Sequence, residues 1–131
     1  MFVDASAIVA VVSPEPDGPA LARRLARADR AYTSAVALYE ATLALSRARN
    51  MTVVAARSAL DEFTDMFNLQ LVPITGEIGR LAVEAFSRFG RGRHPAQLNM
   101  GDCFAYACAR SLGVPLLFKG DDFAQTDIAR A

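Results

Sequence analysis

The sequence predicts an α/β fold in which helices cover a central, mainly parallel sheet. Short apolar runs alternate with amphipathic segments along all 131 residues. One of these segments carries Ile78, Leu81, Ala82, Ala85 and Phe89 at the spacing of a single helix face. No internal repeat, low-complexity segment or linker interrupts the pattern. We therefore expect one domain over residues 1–131.

Strands and helices are assigned in chain order from these runs. Strands are predicted at residues 2–4, 31–33, 69–74 and 116–118. Helices are predicted at residues 5–12, 19–29, 35–49, 53–67, 75–89 and 101–112. Ser34 and Thr52 are suited to cap the third and fourth helices, and Gly113 with Pro115 ends the last one. Residues 90–99 form a loop rich in Gly, Arg and Pro.

Composition excludes several classes of protein. Hydrophobic residues make up 53% and charged residues 21%, which excludes a disordered chain. The start of the chain lacks a secretory signal, and no apolar run approaches the roughly 18 residues of a membrane span. We therefore expect a cytoplasmic protein without membrane contact. Cys103 and Cys108 lack metal-ligand spacing and are interpreted as small core residues.

The charge balance is neutral, with 14 basic and 14 acidic residues. If four acids gather in one cleft, the rest of the surface carries 14 basic side chains and only 10 acidic ones. Thirteen of the basic residues are Arg, which forms forked contacts with phosphate. Ordinary solvated helix faces would account for these arginines equally well.

Four carboxylates stand in unusually apolar sequence surroundings: Asp4, Glu40, Asp102 and Asp121. An ionised carboxylate in such surroundings is costly unless a positive group compensates it. Asp4 ends the first predicted strand and Asp121 comes shortly after the last one, and the carboxyl ends of parallel strands are where functional residues gather. Ligation by oxygen alone favours Mg²⁺ or Mn²⁺, which activate water and clamp a phosphoryl centre.

Each acid also has a structural alternative. Asp4 is suited to cap the first helix, and either Asp102 or Asn99 to cap the last one. Asp121 and its neighbour Asp122 are typical turn residues. Glu40 shares a helical face with apolar neighbours at three- and four-residue spacing, so we expect it to point inward.

Several further residues are candidates near this site. Ser6 is suited to support a ligand or to begin the first helix. Arg91 and Arg93 lie beside two glycines in the loop before Asp102 and are candidates for contacts with the phosphate backbone of a nucleic acid. The single histidine, His94, is interpreted as solvated or in contact with RNA, with a general base as the weaker alternative.

The motifs Phe2-Val3-Asp4-Ala5-Ser6-Ala7, Tyr39-Glu40-Ala41, Asn99-Met100-Gly101-Asp102 and Lys119-Gly120-Asp121-Asp122-Phe123 resemble those of PIN-domain nucleases. Their order and spacing are most similar to the VapC toxins of type II toxin–antitoxin pairs. The resemblance covers nearly the whole chain, and the Asp102 segment is its most specific part.

The resemblance implies a three-layer α/β/α sandwich and an Mg²⁺- or Mn²⁺-dependent endoribonuclease. It places the metal ligands and catalytic acids at Asp4, Glu40, Asp102 and Asp121, with Asp122 as the alternate for the fourth position. Asp127 is interpreted as structural or as a residue behind the ligands. A homodimer and a cognate VapB-like antitoxin, inserting a segment into the acidic cleft, are also implied.

Two other functions share some of these sequence features. A haloacid-dehalogenase-like phosphatase also begins with an Asp after its first strand, but its motifs require acids where this chain has Ser6 and Gln125. A catalytically silent PIN-like module that binds RNA or protein would be marked by the loss of a ligand acid. None of the four acids is missing.

Overall fold

The computed structural model describes all 131 residues and contains four strands and six α-helices. In chain order these are β1 (Phe2–Val3), α1 (Ala5–Val12), α2 (Gly18–Ala26), β2 (Tyr32–Ser34), α3 (Ala35–Ala48), α4 (Val53–Met66), β3 (Gln70–Val72), α5 (Gly76–Phe89), α6 (Met100–Leu112) and β4 (Leu116–Leu117). A single 3₁₀ turn, Phe123–Gln125, follows the last strand.

The four strands form one sheet in the order β3-β2-β1-β4, and every neighbouring pair is parallel. β1 therefore lies in the interior of the sheet, between β2 and β4. Its register pairs Phe2 with Leu116 and Val3 with Leu117. The parallel sheet expected from the alternating pattern is confirmed, and the carboxyl ends of all four strands lie at the same edge.

Two hydrophobic cores lie on opposite faces of the sheet. Because successive strand residues point to opposite faces, Phe2 and Leu116 enter a core with α5 and α6. Val3 and Leu117 enter the other core, with residues from α1 to α4. Helices therefore cover both faces, as the expected three-layer α/β/α sandwich requires.

The helix starts follow their local signals closely. The side chains of Ser34, Thr52 and Thr75 each accept a hydrogen bond from a backbone N–H in the first turn of their helix. Strand lengths differ more, since β3 covers only Gln70–Val72 of the predicted 69–74. None of the helices combines the length and the apolar composition that a membrane span requires.

Candidate active site

Three of the four predicted acids line one cavity of about 510 Å³ at the carboxyl edge of the sheet. Asp4 follows β1, Glu40 lies in the middle of α3, and Asp102 lies in the first turn of α6. Residues that are 36 or more positions apart in sequence therefore meet because the parallel sheet brings three elements to one edge. We call this cavity the acidic cleft.

Asp4 is only 3% exposed and caps α1. Its Oδ2 accepts hydrogen bonds from the Ser6 backbone N at 2.9 Å and from Ser6 Oγ at 2.5 Å. Ser6 Oγ in turn accepts a bond from the backbone N of Lys119 at 3.0 Å. The Asp4 carboxylate thus both caps α1 and lines the cleft. Ser6 links this carboxylate to the segment after β4.

Asp102 takes part in a capping box with Asn99, which caps α6. Asn99 N donates to Asp102 Oδ2 at 2.8 Å, while Asp102 N donates to Asn99 Oδ1 at 3.1 Å. Both alternatives weighed for this residue therefore apply together. Oδ2 stabilises the helix start, and the side chain still lines the cleft.

Glu40 has room in the cleft because a glycine, Gly101, stands in the first turn of α6 where the two meet. A Cβ at Gly101 would overlap the Glu40 carboxylate. Glu40 is half-buried and lines the cleft, where it meets α6. Its neighbour Tyr39 is 64% exposed and lines the cleft as well. Leu43 and Ala44, one turn further along α3, also border this cavity, so the apolar residues around Glu40 form part of its wall.

Burial raises the pKa of all three carboxyl groups, and nearby negative charges raise it further. Burial is the largest cause for Asp4, with the nearby charge of Asp122 contributing. Burial and the charges of Asp4 and Asp102 raise the pKa of Glu40 to about 7. Burial likewise raises the pKa of Asp102 to about 6, against the opposing effects of the Asn99 hydrogen bond and Arg91. The salt bridges of the chain join Arg57 to Asp61, Arg88 to Asp127 and Lys119 to Glu15, so none compensates these acids.

The structure separates Asp121 from Asp122. Asp121 is exposed and lines a neighbouring cavity with Asp17, Arg24 and Arg130, outside the acidic cleft. The charge of Asp122 is felt at both Asp4 and Asp102, where it raises the pKa. Asp122 is exposed as well and lines neither of the two cavities. Gly120, just before this pair, has a φ of 94°. The sequence preference for Asp121 is therefore not supported by its position.

Asp127 and His94 lie in structural networks outside the cleft lining. Asp127 accepts a bond from Tyr106 Oη at 2.6 Å and pairs with Arg88 at 2.8 Å, which tethers the segment after β4 to α5 and α6. His94 Nδ1 accepts a bond from Ala96 N at 3.1 Å, and its ring packs against Phe89. Neither is placed to act on a substrate in the cleft.

The two loop arginines differ in their surroundings. The charge of Arg91 lowers the pKa of Asp102, so Arg91 lies near the cleft. The guanidinium of Arg93 lies over the Phe86 ring at 5.3 Å from its centroid. Cys103 and Cys108 are buried, as predicted, and burial raises the pKa of each thiol to about 11.

Sequence reasoning missed three residues of the cleft. Gly101 makes room for the Glu40 carboxylate. The sequence signal for this role was a glycine inside a predicted helix, where no turn requires one. Lys119 is the only lysine of the chain and pairs with Glu15 at the rim. Arg47 also lines the cleft, two turns along α3 from Glu40 on the same face, but nothing in the sequence distinguished it from the other twelve arginines.

The donor set suits a hard divalent cation, since it consists of carboxylate oxygens without a compensating cation. The cradle that Gly101 leaves for Glu40 holds one of these carboxylates against another element of the cleft. No three acidic, His or Cys side chains converge closely enough to form a complete cage. Mg²⁺ fits such an arrangement because it keeps several waters and takes only one or two carboxylates directly.

Comparison with known proteins agrees with this geometry. A family model described as the PIN domain matches residues 1–129. The chain belongs to the PIN-domain family. Ribonuclease VapC28 of Mycobacterium tuberculosis is 42% identical over 132 residues, covering 100% of this PIN domain and 97% of the relative. A VapC ribonuclease of Rhizobium meliloti is 39% identical over 139 residues, with 97% and 98% covered.

A solved structure supports the fold of the PIN domain independently. VapC20 of Mycobacterium tuberculosis, a toxin that cleaves the sarcin–ricin loop, superposes with a TM-score of 0.78. The match covers 99% of this chain and 97% of that one at 18% identity. The resemblance to VapC toxins drawn from the motifs is confirmed, and so is the predicted PIN-like sandwich.

Proposed function

We propose that this PIN domain, spanning residues 1–131, is the toxin of a toxin–antitoxin pair and hydrolyses RNA phosphodiester bonds in the acidic cleft. Its full-length relatives are named VapC ribonucleases, which supports nuclease activity. The observation that carries the assignment to this cleft is that Asp4, Glu40 and Asp102 line one cavity and none of them forms a salt bridge. Burial and neighbouring negative charges disfavour the ionised form of these three acids, and a bound cation would stabilise that form.

We assign Asp4, Glu40 and Asp102 as the residues that hold Mg²⁺ or Mn²⁺, directly or through water. Asp122 is proposed as the fourth acid in place of Asp121, because its charge acts on Asp4 and Asp102. A divalent ion bound there would activate water and stabilise the charge that develops on the phosphodiester. Ser6 fixes the Asp4 carboxylate by two hydrogen bonds, which keeps this ligand oriented.

RNA must reach an acidic site, so cations near the cleft are needed to position its backbone. Arg47 lines the cleft, and Arg91 lies near Asp102. We propose these two arginines as phosphate contacts. Arg93 stacks on Phe86, so we propose that it makes only a minor contact with the RNA backbone.

We further propose that a cognate VapB-like antitoxin and a second copy of the chain are the protein partners. An antitoxin segment carrying an Arg would compensate the three carboxylates and exclude RNA at the same time. An apolar groove of about 230 Å³ between α5 and α6, lined by Val83, Phe86 and Met100, supports a further protein contact. Action in the cytoplasm, where RNA is available, follows from this proposal.

The decisive test is cleavage of total RNA by purified protein with Mg²⁺ or Mn²⁺ and with chelator. Asp4→Asn and Asp102→Asn should abolish cleavage while circular dichroism shows an intact fold. Asp61→Asn, which removes an exposed carboxylate on α4, is the matched control and should cleave normally. Full activity in either cleft variant would refute the assignment of the site.

The same assay separates the rival functions. A silent binding module would bind RNA but leave every RNA intact, and its expression would not arrest growth. Release of phosphate from small phosphomonoesters would favour the phosphatase, but the PIN family match leaves that alternative without support. Product ends distinguish the mechanism, since hydrolysis of this family type is expected to leave a 5′-phosphate and a 3′-hydroxyl.

A further inference from the structure

Lys119 is the only lysine of the chain, and it lies at the rim of the acidic cleft. It follows β4 and lines both the acidic cleft and the neighbouring cavity that contains Asp121. Any strand of RNA that leaves the cleft towards that cavity must pass this side chain. Arg47 is the only other basic residue in the cleft lining.

Two interactions hold Lys119 in place. Its ammonium pairs with Glu15, which lies between Pro14 and Pro16 after α1. Its backbone N–H donates to Ser6 Oγ, and Ser6 Oγ donates to Asp4 Oδ2. The position of Lys119 is therefore tied, through one serine, to the carboxylate that we assign to the metal.

The choice of ion-pair partner is informative. The ammonium lies at the rim of a cavity that contains three carboxylates without a salt bridge. It nevertheless pairs with Glu15, which also lines this cavity but is not among those three. Glu15 thereby keeps the cation at the rim and leaves the cleft carboxylates free. An ammonium has three N–H donors, so it can stay paired with Glu15 and still donate a hydrogen bond to a phosphate oxygen.

We infer that Lys119 binds the RNA phosphate next to the scissile one, at the exit from the acidic cleft. This inference rests on the proposed function, which places the scissile phosphate at Asp4, Glu40 and Asp102. Lysine acts on phosphate as a compact point charge, which suits a flexible single strand better than a fixed forked contact. Side-chain exposures of 36% for Lys119 and 28% for Glu15 leave room for that phosphate.

The test measures RNA binding apart from cleavage. Binding of a short fluorescent single-stranded RNA of mixed sequence is measured with Mg²⁺ at several salt concentrations, in an Asp102→Asn background. Lys119→Met should reduce the slope of log affinity against log salt by about 0.7, the value for one phosphate contact on a single strand. The same relation gives a loss of roughly fivefold in affinity at 0.1 M salt.

Lys119→Arg should restore the slope, because it keeps the charge. Arg57→Met is the matched control, since it removes a cation that is also paired with an acid but lies on α4. A slope that is unchanged in Lys119→Met, or lowered equally by Arg57→Met, would overturn the inference. If Asp102→Asn instead still cleaves RNA, the proposed function fails, whatever the salt slopes are.

Discussion

At the scale of single residues, the shape of the cleft depends on the absence of a side chain at position 101. Gly101 lies in the first turn of α6, buried against the Glu40 carboxylate of α3. Any larger residue there competes with the carboxylate for the same space. The carboxylate is the far end of a flexible side chain, so it is the group that would move.

We therefore predict that Gly101→Ala leaves the fold intact but lowers RNA cleavage by about 100-fold, the typical effect of displacing a catalytic group by about 1 Å. Alanine is also the better helix former, so the melting temperature should not fall. The control is Gly79→Ala in α5, where no atom lies within 4 Å of the added Cβ. Normal cleavage by Gly101→Ala would show that Glu40 does not need this position.

Asp121 and Asp122 provide a second prediction at this scale. Asp122→Asn should weaken metal-dependent cleavage about tenfold or more, as loss of a residue that supports the ligands typically does. Asp121→Asn, which lines the neighbouring cavity, should change it little. Metal titrations of the two variants check this directly, and the reverse order of effects would restore Asp121 as the fourth acid.

At the scale of elements, the starts of the helices were predictable because their signals are local. Ser34 and Thr52 bond to backbone N–H groups three residues on, within their own helices. The surroundings of Glu40 were not predictable, because they depend on where α6 meets α3. The choice between Asp121 and Asp122 could not be made from the sequence either, because it depends on how the segment after β4 packs beside the cleft.

The loop between α5 and α6 provides a prediction of its own. Arg91 lies near Asp102, whereas Arg93 stacks on Phe86. Arg91→Met should therefore raise the KM for RNA by roughly fivefold at 0.1 M salt, the cost of one phosphate contact. Arg93→Met should change KM much less. Steady-state cleavage kinetics of the two variants distinguish these outcomes, and equal effects would mean that the loop acts only through its net charge.

At the scale of the whole molecule, the acidic cleft makes the metal-free protein depend on pH. Glu40 and Asp102 have ordinary pKa values of 4.5 and 3.8, which folding raises to about 7 and about 6. At pH values between the ordinary and the raised pKa of each group, the folded state binds more protons than the unfolded state. The free energy of unfolding contributed by these groups must therefore fall as pH rises through this window.

We expect the melting temperature of the metal-free protein to decrease between about pH 4.5 and about pH 7, with Mg²⁺ or Mn²⁺ opposing the decrease. Glu40→Gln should flatten the dependence, because it removes the larger of the two shifts and relieves repulsion. Asp61→Asn, on the exposed surface of α4, should not. Thermal melts over this pH range, with and without chelator, check both statements. A metal-free protein that gains stability with rising pH would contradict them.

The shared use of Asp4 and Asp102 restricts how such a domain can lose its activity in evolution. Each carboxylate commits Oδ2 to the start of a helix, through Ser6 or Asn99. Asparagine keeps an oxygen that accepts the same bond, whereas alanine forfeits a cap worth about 1 kcal/mol. Drift towards an inactive but folded domain is therefore expected to pass through Asp→Asn changes. An asparagine at position 4 or 102 in a related chain would indicate a domain that retained its fold after losing its catalytic activity.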